Sequence, residues 1–190
     1  MRSVRTSGSD NPIVFDGALC SHPDTPCPAI RRIQVQARRH TTRLELRYRI
    51  EGNLEQILVP PELPPQRADK LWQHTCFEAF LRDAEATGYV ELNFAPSSEW
   101  AMYQFSRYRT GMSNVEAPPP HVCVHRGNSE LQLDAVVDLV TLPWLVHAQL
   151  KLALCAVIEE ADHRMSYWAL AHPAGKPDFH HADGFVVTIR

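Results

Sequence analysis

Apolar and polar side chains alternate with period two through most of this sequence, and no other feature constrains the fold so tightly. In RLELRYRI, Leu44, Leu46, Tyr48 and Ile50 fall on one side of an extended chain, with Glu45, Arg47 and Arg49 on the other. That is the pattern of a strand packed on one face and wet on the other. Four further runs read the same way: RRIQVQAR (Ile33, Val35, Ala37), YVELNF (Val90, Leu92, Phe94), LQLDAVVDL (Leu131, Leu133, Ala135, Val137, Leu139) and LKLALCAVI (Leu150, Leu152, Leu154, Ala156, Ile158). Turn-forming stretches separate the runs: EGN at 51–53, ATG at 86–88, RGNS at 126–129, ADH at 161–163 and PAGKP at 173–177. Helical periodicity is confined to a turn or two in PPQRADKLWQHT and a second short one in LPWLVHAQ. Many short strands with little helix predict an all-β chain, an antiparallel β-sandwich with one or two short helical turns. The proline clusters VPPELPP and EAPPPH suit loops or sheet edges, and no internal repeat is present.

A length of 190 residues fits one domain with a real core. Residues 1–29 read as an N-terminal extension with a possible first strand, and 30–190 as the β domain. A formal net charge of -3 offers no basic field for nucleic acid or anionic membrane. No run approaches the roughly 18 apolar residues of a membrane span, and MRSVRTSGSDNPIVF lacks the apolar centre of a secretion signal. The expectation is a soluble, unexported chain. Cys20, Cys27, Cys76, Cys123 and Cys155 are odd in number and lack CxxC spacing. Cys76, Cys123 and Cys155 lie in strand-like runs where a free thiol acts as a small apolar group, which points to a reducing cytoplasm.

The chemistry sits on the faces left over by the core. In LWQHTCFEAFLRD, Phe77, Ala79 and Leu81 form the apolar set, so Cys76, Glu78, Phe80 and Arg82 point the other way. In GYVELNFAPSSEW the opposite set is Tyr89, Glu91 and Asn93. If the two runs pair as a hairpin, Glu78, Glu91 and Asn93 share one surface with flanking aromatics. Directed hydrogen-bonding groups beside flat apolar rings suit a polyhydroxylated ligand. Near the C-terminus, Met165, Tyr167 and Ala169 share one side of a strand, and Ser166, Trp168, Leu170 and His172 the other. The strand would then deliver His172 to the mouth of PAGKPDFHH, where Lys176, Asp178, His180 and His181 form a polar rim.

The stretch LWQHTCFEAFLRD…YVELNFAPSSEWAMYQFSRYRTGM, followed by SYWALAHPAGKPDFHH, resembles the bacterial DOMON-like domains, which are distantly similar to family 9 carbohydrate-binding modules. The resemblance runs from about residue 30 to the end. It implies an antiparallel β-sandwich from a superfamily associated with sugar or haem binding. The matching positions are Trp72, Cys76, Glu78, Tyr89, Glu91, Asn93 and Trp100 in the first block, and Trp168, His172, Lys176, Asp178, Phe179 and His180 in the second. The chain departs from the carbohydrate-binding modules in lacking an obvious tryptophan pair for a sugar clamp; Trp72, Trp100, Trp144 and Trp168 are all available. The expected ligand site is Glu78, Tyr89, Glu91, Asn93, Trp100, Trp168, His172, Lys176, Asp178 and His180, binding a small polar, saccharide-like molecule without transforming it and requiring no cofactor.

Two other readings use different residues or different chemistry. HVCVH places His121, Cys123 and His125 on one strand face, which could serve a divalent metal. His172, His180 or Met102 could ligate haem iron, although no CxxCH is present. Glu78 and Glu91 could act as acid and base on a glycosidic bond if held about 5–9 Å apart. Neither the ligand's identity nor the oligomeric state is legible in the sequence.

Overall fold

The computed structural model describes residues 13–189. The strands are β1 (Ile13–Ser21), β2 (Ile30–His40), β3 (Arg43–Gly52), β4 (Cys76–Asp83), β5 (Tyr89–Phe94), β6 (Trp100–Phe105), β7 (Ser113–Asn114), β8 (His121–Arg126), β9 (Glu130–Asp138), β10 (Leu150–Glu159), β11 (Met165–Ala169) and β12 (Val187–Ile189). The two short helical candidates are single turns: a 3-10 turn at Leu71–Gln73 and α1 at Pro143–Val146. Two further 3-10 turns, Leu54–Gln56 and Ala182–Gly184, carry no helical period in the sequence. No helix among the described residues is long and apolar enough to cross a membrane.

The strands form one continuous antiparallel path, β7-β6-β5-β4-β10-β11-β1-β2-β3-β9-β8, with β12 pairing the start of β10. β1 is the joint. Its residues 13–19 pair with β2, and Cys20 and Ser21 then pair with Ala169 and Trp168 of β11. The span read as an N-terminal extension thus contains the strand that carries the hydrogen bonding from one half of the sheet to the other.

The path curls so that apolar rows from both halves share one core. Ile33, Val35, Leu46, Tyr48, Leu133 and Ala135 come from one half, and Phe77, Ala79, Leu92, Phe94, Leu152 and Leu154 from the other. Tyr48 crosses between them: its ring lies 5.0 Å from that of Phe77, and its hydroxyl donates to the Glu78 carbonyl at 2.7 Å. A buried tyrosine hydroxyl needs such a partner.

The two halves differ in their outer faces. In β2, β3 and β9 buried residues alternate with exposed or half-exposed ones, as the period-two reading expects. In β5 every residue is buried, and β4, β6 and β10 are nearly so. The face expected to be wet is therefore covered. A second apolar cluster lies there, with Phe80, Tyr89, Tyr103 and Phe105 from the strands and Leu71, Phe179 and Phe185 from the connections. Burying a phenylalanine contributes roughly 1.5–3 kcal/mol, so Phe179 and Phe185 hold the C-terminal connection down on the sheet.

Arg39 is a cation on the core side of β2, only 6% exposed. Its guanidinium donates to the carbonyls of Ala148 at 2.7 Å, Leu145 at 2.9 Å and Val146, which closes the end of α1, where helix carbonyls lack internal partners. A planar fork reaches several carbonyls at once and an ammonium does not. Arg39→Lys should cost about 1–2 kcal/mol of unfolding free energy, measured by urea titration; an unchanged midpoint would mean that solvent already serves those carbonyls.

Candidate functional site

Register builds the site. Across β4 and β5, Glu78 faces Asn93 and Phe80 faces Glu91, so Glu78 and Glu91 are diagonal neighbours on the covered face. Such neighbours have their backbones about 7–8 Å apart. On the flanks, Tyr103 of β6 faces Glu91, and Cys155 of β10 faces Glu78. Cys155, Ala153, Ala101 and Ala169 share this face, and such small side chains leave room above the sheet.

That room is a cavity of about 360 Å³, at the small end of the range that ligand pockets occupy. Glu78, Glu91 and Val157 form its floor. Trp72, Phe105, Tyr167 and Phe179 wall it, and Arg109, Met112, Pro177 and His180 come in from the connections above. Glu78 is 3% exposed and Glu91 5%. Glu91 accepts a hydrogen bond from Asn93 Nδ2 at 2.7 Å, whereas Glu78 Oε1 is buried without a hydrogen-bond partner among the described residues. Burial raises both carboxyls above the usual range. For Glu78 the nearby Glu91 adds to the effect and Arg109 opposes it; for Glu91 the Asn93 hydrogen bond and Arg109 oppose it. Glu78 is the more strongly raised of the two, and Asn93 and Arg109 hold Glu91 closer to its ionised form.

His180 is wedged among rings, 5.0 Å from Phe80, 5.2 Å from Phe105 and 5.8 Å from Tyr89. Its Nδ1 lies 2.8 Å from the Tyr89 hydroxyl, which also accepts from the Arg109 backbone N–H at 3.1 Å. The arrangement that satisfies all three groups has Tyr89 donating to Nδ1, with the ring proton on Nε2, which lies 3.8 Å from Glu91 Oε2. Burial, helped by the Arg109 charge, pushes the imidazole down to about 4, so His180 is neutral at pH 7.

Asp178 ties the two covering loops together. It accepts from Arg109 Nη2 at 2.7 Å, from the Tyr108 hydroxyl at 2.6 Å and from the His180 backbone N–H at 3.1 Å. Arg109 sits at φ 49, in the left-handed region, a conformation that a non-glycine residue keeps only when its surroundings enforce it. Gly111, at φ 70, completes the turn, where a Cβ would meet Ser106 Oγ at 2.5 Å.

Of the residues expected to bind ligand, the structure gathers Glu78, Tyr89, Glu91, Asn93, Asp178 and His180 into this neighbourhood. Trp100 and Trp168 instead lie in the main core, and Trp168 Nε1 donates to Ser166 Oγ at 3.0 Å. His172 is in a different place from the expected rim. It donates to the Cys20 carbonyl at 2.9 Å and packs edge-on against His22, which in turn donates to the Gly175 carbonyl at 2.8 Å. The two imidazoles pin the root of the C-terminal loop to the end of β1. Lys176 is exposed. On β11 it is Tyr167, on the side with Met165 and Ala169, that reaches the cavity.

Arg109, Phe105, Met112 and Tyr167 were not among the expected site residues. Tyr167 was recoverable, because its face of β11 alternates opposite Trp168. Arg109 lies in a turn with no period to read.

The metal reading places His121, Cys123 and His125 on β8, an edge strand, with Cys123 Sγ 3.5 Å from His125 Nε2. No group of three or more metal-ligating side chains is assembled among the described residues. Met102 lies in the core, 1% exposed. All five cysteines are free; Cys27, Cys76 and Cys155 are buried, while Cys123 is half-exposed and Cys20 exposed. Reductant should leave the melting temperature unchanged in a thermal scan, and a clear fall would reveal a disulfide.

Fold and cavity together define an antiparallel β domain with one face roofed by loops over an acidic, aromatic-walled pocket. No family model and no curated protein matches the chain. Among solved structures it is similar to one described as a "putative carbohydrate-binding protein" from Bacteroides uniformis, with a TM-score of 0.61 over 90% of this chain and 84% of that one. At 12% identity the likeness is one of fold.

Proposed function

We propose that this protein is a non-catalytic binding domain whose roofed cavity takes a single small polar ligand, a saccharide ring. One observation carries the reading: two buried carboxyl groups, one with an unpartnered oxygen, floor a cavity walled by four aromatic side chains. A sugar supplies hydroxyl donors to the carboxylates and C–H faces to the rings. The described class of the structural neighbour agrees with this choice. The finer architecture belongs to the same proposal: the two faces of the curled sheet act as a β-sandwich of the DOMON-like kind. A reducing compartment suits its five free thiols.

The test is calorimetric titration with a panel of monosaccharides, on the wild type and on Trp72→Ala. Trp72 is half-buried, on the turn at Leu71–Gln73, with its ring edge-on to Tyr103 at 5.9 Å. Losing its ring face should weaken binding about 3- to 10-fold, equivalent to roughly 0.5–1.5 kcal/mol. Failure of every monosaccharide to bind, or binding indifferent to Trp72, would refute the assignment.

A further inference from the structure

The charge around the cavity is lopsided. Glu78, Glu91 and Asp178 bring three carboxyls; Arg109 brings one guanidinium, and it is already committed to Asp178 at 2.7 Å. His180 contributes no charge at pH 7. Even with one proton shared between Glu78 and Glu91, the site stays net negative. A neutral sugar leaves that charge buried and uncompensated, which is costly in a desolvated site.

A cation resolves the imbalance. An ammonium offers three donors, enough to satisfy Glu78 Oε1 and bridge to Glu91. The aromatic walls add attraction, since ring faces draw cations when water is excluded. The neighbouring polar groups do not already do this work. Asn93 Nδ2 is spent on Glu91, and the Cys76 thiol, a weak donor, points at Asn93 Oδ1 at 3.7 Å. Cys155, opposite Glu78, is held protonated and uncharged by burial and by the two glutamates.

From this geometry we infer that the floor of the cavity is an ammonium subsite and that the ligand is an amine-bearing sugar. The inference rests on the cavity being the saccharide site proposed above. Binding follows a fixed charge balance: the protonated amine enters as a cation, the proton shared by Glu78 and Glu91 stays, and the complex sets the one remaining carboxylate charge of that pair against one ammonium beside the neutral Arg109–Asp178 pair.

The experiment titrates the full chain calorimetrically at pH 7 with D-glucosamine, N-acetyl-D-glucosamine, D-glucose and benzylamine. Glucosamine should bind at least tenfold more tightly than glucose or the N-acetyl sugar. Glu91→Gln should bring the ratio of glucosamine to glucose affinity close to one. Equal affinity for glucose and glucosamine would overturn the ammonium subsite while leaving a saccharide site intact. Binding of benzylamine with all three sugars silent would keep the subsite and overturn the saccharide reading. Silence of all four probes would overturn both.

Discussion

Glu78→Gln should raise the melting temperature of the unliganded protein, by an amount that grows with pH. The carboxyl is buried beside Glu91, and burial first, then the neighbouring charge, holds its folded-state pKa well above the usual range. In the unfolded chain it ionises near about 4.3. Above that pH the folded state retains a proton that the unfolded state has lost, so stability falls as pH rises, by up to about 1.4 kcal/mol per pH unit, until the folded carboxyl ionises. Below about 4.3 both states are protonated and the penalty vanishes. Gln keeps the shape and removes the titration. The two proteins should therefore converge below about pH 4 and separate steadily above it, with the variant the more stable. His180 acts in the opposite sense. Its folded value of about 4 lies below the ordinary imidazole value, so its contribution is full above roughly pH 6.5 and is lost as pH falls toward 4. It titrates in both proteins and largely cancels in their difference. Thermal scans of the pair from pH 4 to 9 read the effect. A variant that loses stability relative to wild type as pH rises would show an ionised Glu78 serving the fold.

A carboxyl placed against the folding preference of its surroundings, with an oxygen left unpaired, is what a binding residue looks like energetically.

The positions of these carboxyls were legible because a strand needs only parity to assign faces. Phe77, Ala79 and Leu81 fix one side of β4, so Glu78 must lie on the other, and the hairpin with β5 then brings Asn93 opposite it. Parity says which side, and nothing about what covers it. LKLALCAVI did hold a hint: Ala153, Cys155 and Val157 are apolar on the supposedly wet side, as a strand buried on both faces requires. The roof itself comes from the turns at 106–111 and 173–186, whose conformations depend on Arg109 in the left-handed region and on aromatic anchors such as Phe179. His172 shows where parity ends. β11 stops at Ala169, and once the chain leaves the extended state, counting by twos no longer predicts direction. The tryptophans illustrate the same limit, since Trp100 and Trp168 are large apolar groups that alternation places with the core, while Trp72 reaches the cavity from a one-turn helix.

Asp178→Ala should abolish most ligand binding, by more than the removal of a single contact explains. The carboxylate pins both covering loops at once, through Arg109, Tyr108 and the His180 backbone. These partners hold it below the ordinary carboxylate range against the opposing effect of burial, so its charge is secure above about pH 4. Removing it frees the Arg109 guanidinium, which already lines the cavity, and the negative charge shared by Glu78 and Glu91 on the floor attracts it. The guanidinium would then occupy the ammonium subsite itself. Binding of D-glucosamine should fall at least tenfold, with modest loss of stability because the pin is partly exposed. The double variant Asp178→Ala/Arg109→Ala separates the causes. If the harm comes from the loose guanidinium, deleting it restores part of the affinity, and the two substitutions combine far from additively. If the double variant binds no better than Asp178→Ala alone, the aspartate acts only by holding the roof, and the competition between Arg109 and the ligand for Glu78 and Glu91 is refuted.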